Sequence, residues 1–524
     1  MTTRPVSVAR PGHRAAALWR RLCVLLLIAA QLLTPLARAQ LPGMGDGSEM
    51  AVGDERALGD SIAAQLYRDP DYVDDPVIME YVQDIWQHLL AAARKRGELT
   101  PEIDERFAWQ ILLNRDPTIN AFALPGGYMG INLGLIGAVG SRDEMATVMG
   151  HELSHITQRH IARMLSRQKK QLPWILAGMI LGALAAAKSS NGDAGQAVLL
   201  GTQAYAMQSQ LSFSRDMERE ADRIGFGVMT QAGYAPQGAA AMFEKLQYAS
   251  RLNDNGSYPY LRSHPLTGER IADMQARTPF DPGVPVALPL RMDHAMVSAR
   301  ARVVVGPGSD LLRQWVQAAN GSEFASSAPA KQAGILYAAA LSADRLRDMK
   351  AAREAAARLQ KVAAGDPAGA RLARLLASEI ELDAGAAPAA LALLDLKARD
   401  RTEMLMVAET ALAARQPPAQ LELLSGQLRD WVAAHPRDAT VWRQLAALYA
   451  AQGEALRGLR AEAESNVAIL DYAGARDRFK AAQDLSRSGA AKGQADFYEA
   501  SIIDTRAREV DAKLRQLEAE REQQ

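Results

Sequence analysis

The 524-residue chain contains a single cysteine, and aromatic residues make up only 6% of it. That cysteine, Cys23, sits inside an N-terminal apolar run, so the body of the protein holds no thiol, which excludes disulfides and cysteine nucleophiles. An excess of one charge is lacking too. Sixty Lys+Arg balance sixty Asp+Glu, which removes the long-range attraction on which nucleic-acid binders rely. No nucleic-acid partner is expected. Only 8 histidines are present, so the place where they gather is informative. What the chain has in plenty is alanine and leucine, above all in its second half, where helices are favoured over sheets.

At its head, Arg14, Arg20 and Arg21 precede the apolar run Leu22 to Leu33, and Ala37-Arg38-Ala39 offers a small-x-small cleavage site. Residues 1–39 read as a cleavable export signal; the run falls short of the ~20 residues that span a bilayer. From about 50 to 277 helical and strand-like stretches alternate. Phe107 to Leu113 reads as a strand, and Asn120 to Leu124 and Tyr128 to Leu133 flank Pro125-Gly126-Gly127 as a hairpin or edge strand. Four prolines, at 279, 282, 285 and 289, mark 278–290 as a linker that few contacts should cross. Residues 291–524 are a succession of Ala/Leu-rich helices. Trp442-x-x-Leu445-Ala446-x-x-Tyr449, with Gly453 closing that helix and Ala475 and Phe479 on a later one, resembles a tetratricopeptide repeat. The tail after Thr505 reads as a solvated terminal helix.

The informative pentapeptide is His151-Glu152-Leu153-Ser154-His155. A chance H-E-x-x-H in a chain this long and this poor in histidine is expected only about 0.006 times. Four residues advance a helix by slightly more than one turn, bringing both imidazoles to one face. Ser141-x-x-Glu144 supplies a capping box just upstream, so the helix is specified independently of the motif. Two neutral imidazoles leave a tetrahedral zinc short of one protein ligand, with the last position kept for water. Glu152 can reach that water rather than the ion and serve as general base. His160 does not complete the metzincin pattern, because Gln158-Arg159 stand where that pattern needs other residues. Carboxylates on a second helix, in Glu218-Arg219-Glu220-Ala221-Asp222, are the other candidates. Glu218 and Asp222 share a face, so one can ligate while the other hydrogen-bonds a ligand histidine.

These motifs, together with Asn120-Ala-Phe-Ala-Leu-Pro-Gly-Gly127 and Ser263-His264-Pro265 followed by Glu269-Arg270-Ile271, resemble the secreted zinc metallopeptidases related to the CAAX prenyl proteases. Within them the likeness is to the β-barrel assembly-enhancing proteases, and it covers residues 50 to 280. The resemblance implies a mainly α fold with a small β-sheet in the peptidase domain (zincin-like α+β), at 50–277, followed by an all-α tetratricopeptide-like helical domain, at 291–524. It implies one Zn2+ per chain held by His151, His155 and Glu218, catalysis by Glu152 with Asp222 in a proton-transfer or orienting role, and Glu220 as a bystander. It places His264 near the metal, as a fourth ligand that gates the site or as an oxyanion donor. Asn120, Phe122, Gly126 and Gly127 belong to a strand that an extended substrate can join, with the glycines letting another chain approach.

The function so implied is a periplasmic zinc endopeptidase with chaperone-like activity, acting on unfolded or misassembled envelope proteins and contacting the outer-membrane assembly machinery through its helices. The rival is a helical scaffold or chaperone whose peptidase site is normally closed. Leu172 to Ala187, sixteen residues without a charge, follows Arg159, Arg163, Arg167 and Lys169-Lys170. It suits a cover over the site or a peripheral membrane contact.

Overall fold

The computed structural model describes residues 50–167, 214–251, 259–277, 290–488 and 494–522. The export signal, the Leu172 to Ala187 segment and the prolines of the linker lie outside the described residues.

Local chemistry accounts for the first long helix, Pro76–Arg96. Asp75 accepts the Ile78 N–H at 3.0 Å, Pro76 opens the helix, and Gly97 ends it at φ 74°. Its apolar positions, among them Val82, Ile85, Trp86, Leu89 and Leu90, are buried. The described strands form one sheet: β1 Tyr72–Val73, β2 Gln110–Asn114, β3 Ala121–Leu124 and β4 Tyr128–Asn132, in the order β1-β2-β4-β3. β2 and β4 run parallel and the other pairs antiparallel. The expected strand at 107–113 starts later, at Gln110, because Trp109 takes φ 51° and interrupts the extended backbone. β3 and β4 form the expected hairpin, with Ala123 opposite Met129, and β3 is one of the sheet's two edge strands among the described residues.

The helix carrying the histidine pair, Arg142–Thr157, starts as the capping pattern predicts. Ser141 accepts the Glu144 N–H at 3.1 Å, while Glu144 reaches one residue further back, to the Gly140 N–H at 2.8 Å. Every residue from Glu144 to Thr157 is buried. Helix Arg215–Gln231 packs across it where Gly150 meets Gly225. A Cβ on Gly225 would stand 2.9 Å from the Gly150 backbone, so side chains at the crossing would hold the two helices apart.

The expectation that few contacts cross the 278–290 boundary is not met. Met50–Gln524 forms one compact unit, and a single hydrophobic core runs from Val52 through Ile85 and Met296 to Ile380. Helix Met292–Val304 lies against Leu133–Ala138 and Pro76–Arg96. His294 Nδ1 is 2.7 Å from the Tyr81 hydroxyl, and Arg300 forks onto Asp75 at 2.8 Å and also reaches Glu379 at 2.6 Å. Arg371 pairs with Glu80, and Thr402 donates to the Pro76 carbonyl. Such buried and half-buried pairs set the docking geometry more than they add stability. Linker prolines therefore separate two stretches of sequence, not two separately packed bodies.

The C-terminal helices pack on their sequence neighbours. Trp442, Leu445, Ala446 and Tyr449 share a core with Leu424 and Leu428, whereas Ala475 and Phe479 belong to a different one with Leu456, Ala463 and Ile503. The last helix, Gln494–Glu522, is not wholly solvated: Ala507 and Val510 are buried in that second core, and Arg506 pairs with Glu464 at 2.7 Å.

Candidate metal centre

The crossing at Gly150 and Gly225 brings the inward faces of two helices together. His151 and His155 stand on one of them. Glu218 and Asp222 stand on the other, in its first turns after Ser214 caps it. A third segment arrives from further along: His264 follows the short helix Tyr260–Ser263, donates its N–H to the Tyr260 carbonyl at 2.9 Å, and stacks its ring on Tyr260 at 4.6 Å between centroids.

One donor atom from each of His151, His155, Glu218 and His264 lies within 4.8 Å of the others, and all four residues are buried. His155 Nε2 is 3.0 Å from His151 Nε2, and His264 Nδ1 is 3.3 Å from His151 Nε2 and 3.0 Å from Glu218 Oε1. Glu218 lies 3.6 Å from both His151 Nε2 and His155 Nε2. Ligand nitrogens about 2.0–2.1 Å from a tetrahedral zinc stand roughly 3.4 Å apart, so these separations suit donors converging on one ion. Three imidazoles and a carboxylate are a donor set for zinc and its neighbours among the transition metals.

The electrostatics agree with a cation site. Burial opposes charge on His151, but hydrogen bonds with Asp222 and Glu218 push it up to about 10. Burial pulls His155 well below the ordinary histidine value, and the neighbouring His151 and His264 charges add to that. Burial would raise Glu218, yet His264 and His151 hold its carboxyl far below the usual carboxylate range. Burial likewise works against Asp222, and Arg270 and His151 keep it ionised.

Glu152 stands beside the four donors and is completely buried. Its Oε2 accepts the Ala123 N–H of edge strand β3 at 2.8 Å, while Oε1 makes no hydrogen bond among the described residues and lies 3.5 Å from His264 Nε2. Burial raises its carboxyl above the usual range, as suits a group that must take up a proton. Asp222 is not among the converging donors. It sits behind them, 3.0 Å from His151 Nδ1, and Arg270 grips it at 2.7 and 2.9 Å.

Glu220 stays outside the four converging donors, as expected, and its Oε2 is instead 3.0 Å from both His160 Nε2 and Arg163 Nη1. One sequence expectation needs correction here. The glycines of the turn do not face an incoming chain. A Cβ on Gly126 would come within 2.8 Å of Arg56, one on Gly127 within 2.7 Å of Phe107, and one on Gly130 within 2.1 Å of the Phe122 ring. They make room for the protein's own chain, because the turn is packed beneath helix Val52–Leu66. Asn120 bonds through its carbonyl to the Asn132 N–H, and Phe122 lies on the edge strand.

Arg270 was read from the sequence only as part of the Glu269-Arg270-Ile271 motif, without a role. Its Nη1 lies 2.8 Å from Glu218 Oε2 while its other nitrogens hold Asp222, yet nothing local to Gly268–Arg277 announces a partner two helices away. Tyr260 was missed as well, although its four-residue offset from His264 was a usable signal.

Residues 80–278 match the model of peptidase family M48. The chain is 33% identical over 310 residues to a beta-barrel assembly-enhancing protease of Vibrio cholerae, covering 56% of this chain and 59% of that protein. It is 33% identical over 288 residues to the Escherichia coli protein of that name, covering 53% and 55%, and 29% identical over 440 residues to the Yersinia pestis one, covering 82% and 84%. The first two alignments thus span less than two thirds of the relatives' length.

Proposed function

Because residues 80–278 belong to peptidase family M48, we propose that the chain is a zinc-dependent endopeptidase, with His151, His155 and Glu218 as the ligands and Glu152 as general base. One observation carries this reading: the buried carboxylate of Glu152 is bonded to edge strand β3 and adjoins the four converging donors. A substrate backbone laid along that edge would put its scissile carbonyl beside the donors and its attacking water beside Glu152.

When bound, zinc supplies Lewis-acid polarisation of the carbonyl and acidifies water. The chain's own residues do the rest. Glu152 takes the proton from the attacking water and passes it to the leaving amine. Asp222, braced by Arg270, holds Nδ1 of His151 and so aims its Nε2 at the other donors. β3 aligns the substrate through main-chain bonds, which read little sequence and suit unfolded chains.

In this reading the protein is exported by residues 1–39 to the periplasm, where the helical region presents unfolded or misassembled envelope proteins, or docks on the outer-membrane assembly machinery, with chaperone-like effect. The names of the relatives, which are assembly-enhancing proteases of β-barrels, support it. No helix among the described residues is long and apolar enough to cross a membrane. The test is cleavage of a denatured outer-membrane β-barrel protein by wild type and Glu152→Gln; equal rates would defeat the peptidase reading.

A second reading has its own observation. Four protein donors leave a tetrahedral ion no position for water, and His264 is one of the four. The site is then closed at rest, and binding by the helical region predominates until His264 withdraws.

A further inference from the structure

Histidine 160 lies five residues beyond His155, and on an uninterrupted helix it would point about 140° away from it. The helix is interrupted. Arg142–Thr157 ends, Arg159 takes φ 51°, and a new helix begins at His160. A non-glycine residue in the left-handed region is uncommon and costs free energy. Here it is held by Arg159 pairing with Glu55 at 2.7 Å and by its donation to the Met50 carbonyl. The turn brings His160 back onto His155, with the two Nδ1 atoms 2.8 Å apart. His160 is completely buried, and its other nitrogen, Nε2, is 3.0 Å from Glu220 Oε2.

We propose that Glu220 and His160 form a positioning relay that dictates which nitrogen of His155 is bare toward the metal site. This rests on the metal centre proposed above. Ionised carboxylates only accept hydrogen bonds, and Arg163, 3.0 Å from the same Glu220 oxygen, favours the ionised form. The proton between Glu220 and His160 therefore sits on His160 Nε2. A neutral imidazole carries one proton, so His160 Nδ1 is a lone pair and accepts from His155 Nδ1–H. That leaves His155 Nε2 unprotonated where it faces His151, Glu218 and His264. His151 reaches the same tautomer in one step, through Asp222 on its Nδ1. A ligating histidine usually has its second nitrogen fixed by a carboxylate, a carbonyl or water; for His155 the carboxylate acts through another imidazole.

Zinc affinity of the full chain, measured by chelator competition, tests the relay alongside the melting temperature of the metal-free protein. His160→Phe, which keeps the ring volume and removes both nitrogens, should weaken zinc binding by about 10- to 100-fold. His160→Asn, whose side-chain oxygen replaces Nδ1 as acceptor, should recover affinity to within about threefold of wild type. Glu220→Ala removes a partly exposed group, so it should fold normally, and it should show an intermediate loss. In each variant the metal-free melting temperature should stay at the wild-type value. Zinc affinities within about twofold of wild type for both His160→Phe and Glu220→Ala would overturn the relay, as would an affinity loss that tracks a lower metal-free melting temperature. A wild-type chain that binds no zinc would overturn the metal centre itself, an outcome distinct from intact binding with silent variants.

Discussion

Gly150 and Gly225 touch where the helix bearing His151 crosses the helix bearing Glu218, and a Cβ on either would come within 3.1 Å of the other's backbone. The absence of side chains at that one point lets a carboxylate from one helix reach the histidines of the other. Replacing Gly225 with Val should push the helices apart, lowering stability by about 1–3 kcal/mol through overpacking and weakening zinc retention at the same time. Thermal melts with and without zinc check both effects. A variant that melts earlier yet keeps wild-type zinc affinity would separate the crossing from the site.

Arg270 neutralises two buried carboxylates at once, Glu218 at 2.8 Å and Asp222 at 2.7 Å. Arg270→Met should destabilise the metal-free protein by about 3–5 kcal/mol, because it leaves uncompensated buried charge. Zinc should recover part of that loss, since an ion offsets Glu218 but not Asp222. Urea denaturation with chelator and with zinc measures both quantities, and a cost indifferent to zinc would argue that Glu218 does not bind it.

His264 completes the set of four donors and also lies 3.5 Å from Glu152. If it gates the site, His264→Ala should cleave casein faster than wild type with zinc content unchanged. Should it stabilise an oxyanion instead, the same change should lower turnover by about 100-fold. Equal rate and zinc content in both proteins would remove His264 from the mechanism.

Far from the centre, Asp344 is pushed up to about 7, first by burial and then by the charge and hydrogen bond of Asp383, with Glu379 adding to the effect and Arg345 opposing it. One of its oxygens is buried without a hydrogen bond among the described residues. Between the unfolded value near 4 and the folded value near 7, the native state retains a proton that the unfolded chain has released. Stability at this site therefore falls as pH rises through that window. Asp344→Asn should flatten the decline in melting temperature between pH 5 and pH 8; an unchanged slope would show that the decline arises elsewhere.

Much of the centre was legible in the residues because it is local. The four-residue spacing puts His151 and His155 on one helix face, Ser141 and Glu144 start that helix, and the same spacing pairs Glu218 with Asp222. The hairpin on either side of Pro125-Gly126-Gly127 was equally plain, since turn chemistry and strand alternation act over a few residues. Choosing Glu218 over Glu220 as the ligand, by contrast, rested on the family resemblance.

What only the tertiary structure decided are the pairings across distance. Arg270 reaches Asp222 across 48 residues and Glu220 finds His160 across 60, while the approach of His264 to His151 across 113 residues was implied only by the family resemblance and by nothing local. The continuity of the core past residues 278–290 is of the same kind. Local patterns set which face of a helix is apolar and where its ends fall. Which faces come together depends on how closely backbones can approach, as at Gly150 and Gly225, and on a single left-handed residue such as Arg159 turning the chain. Those are properties of packed segments, and no short window of sequence contains both partners.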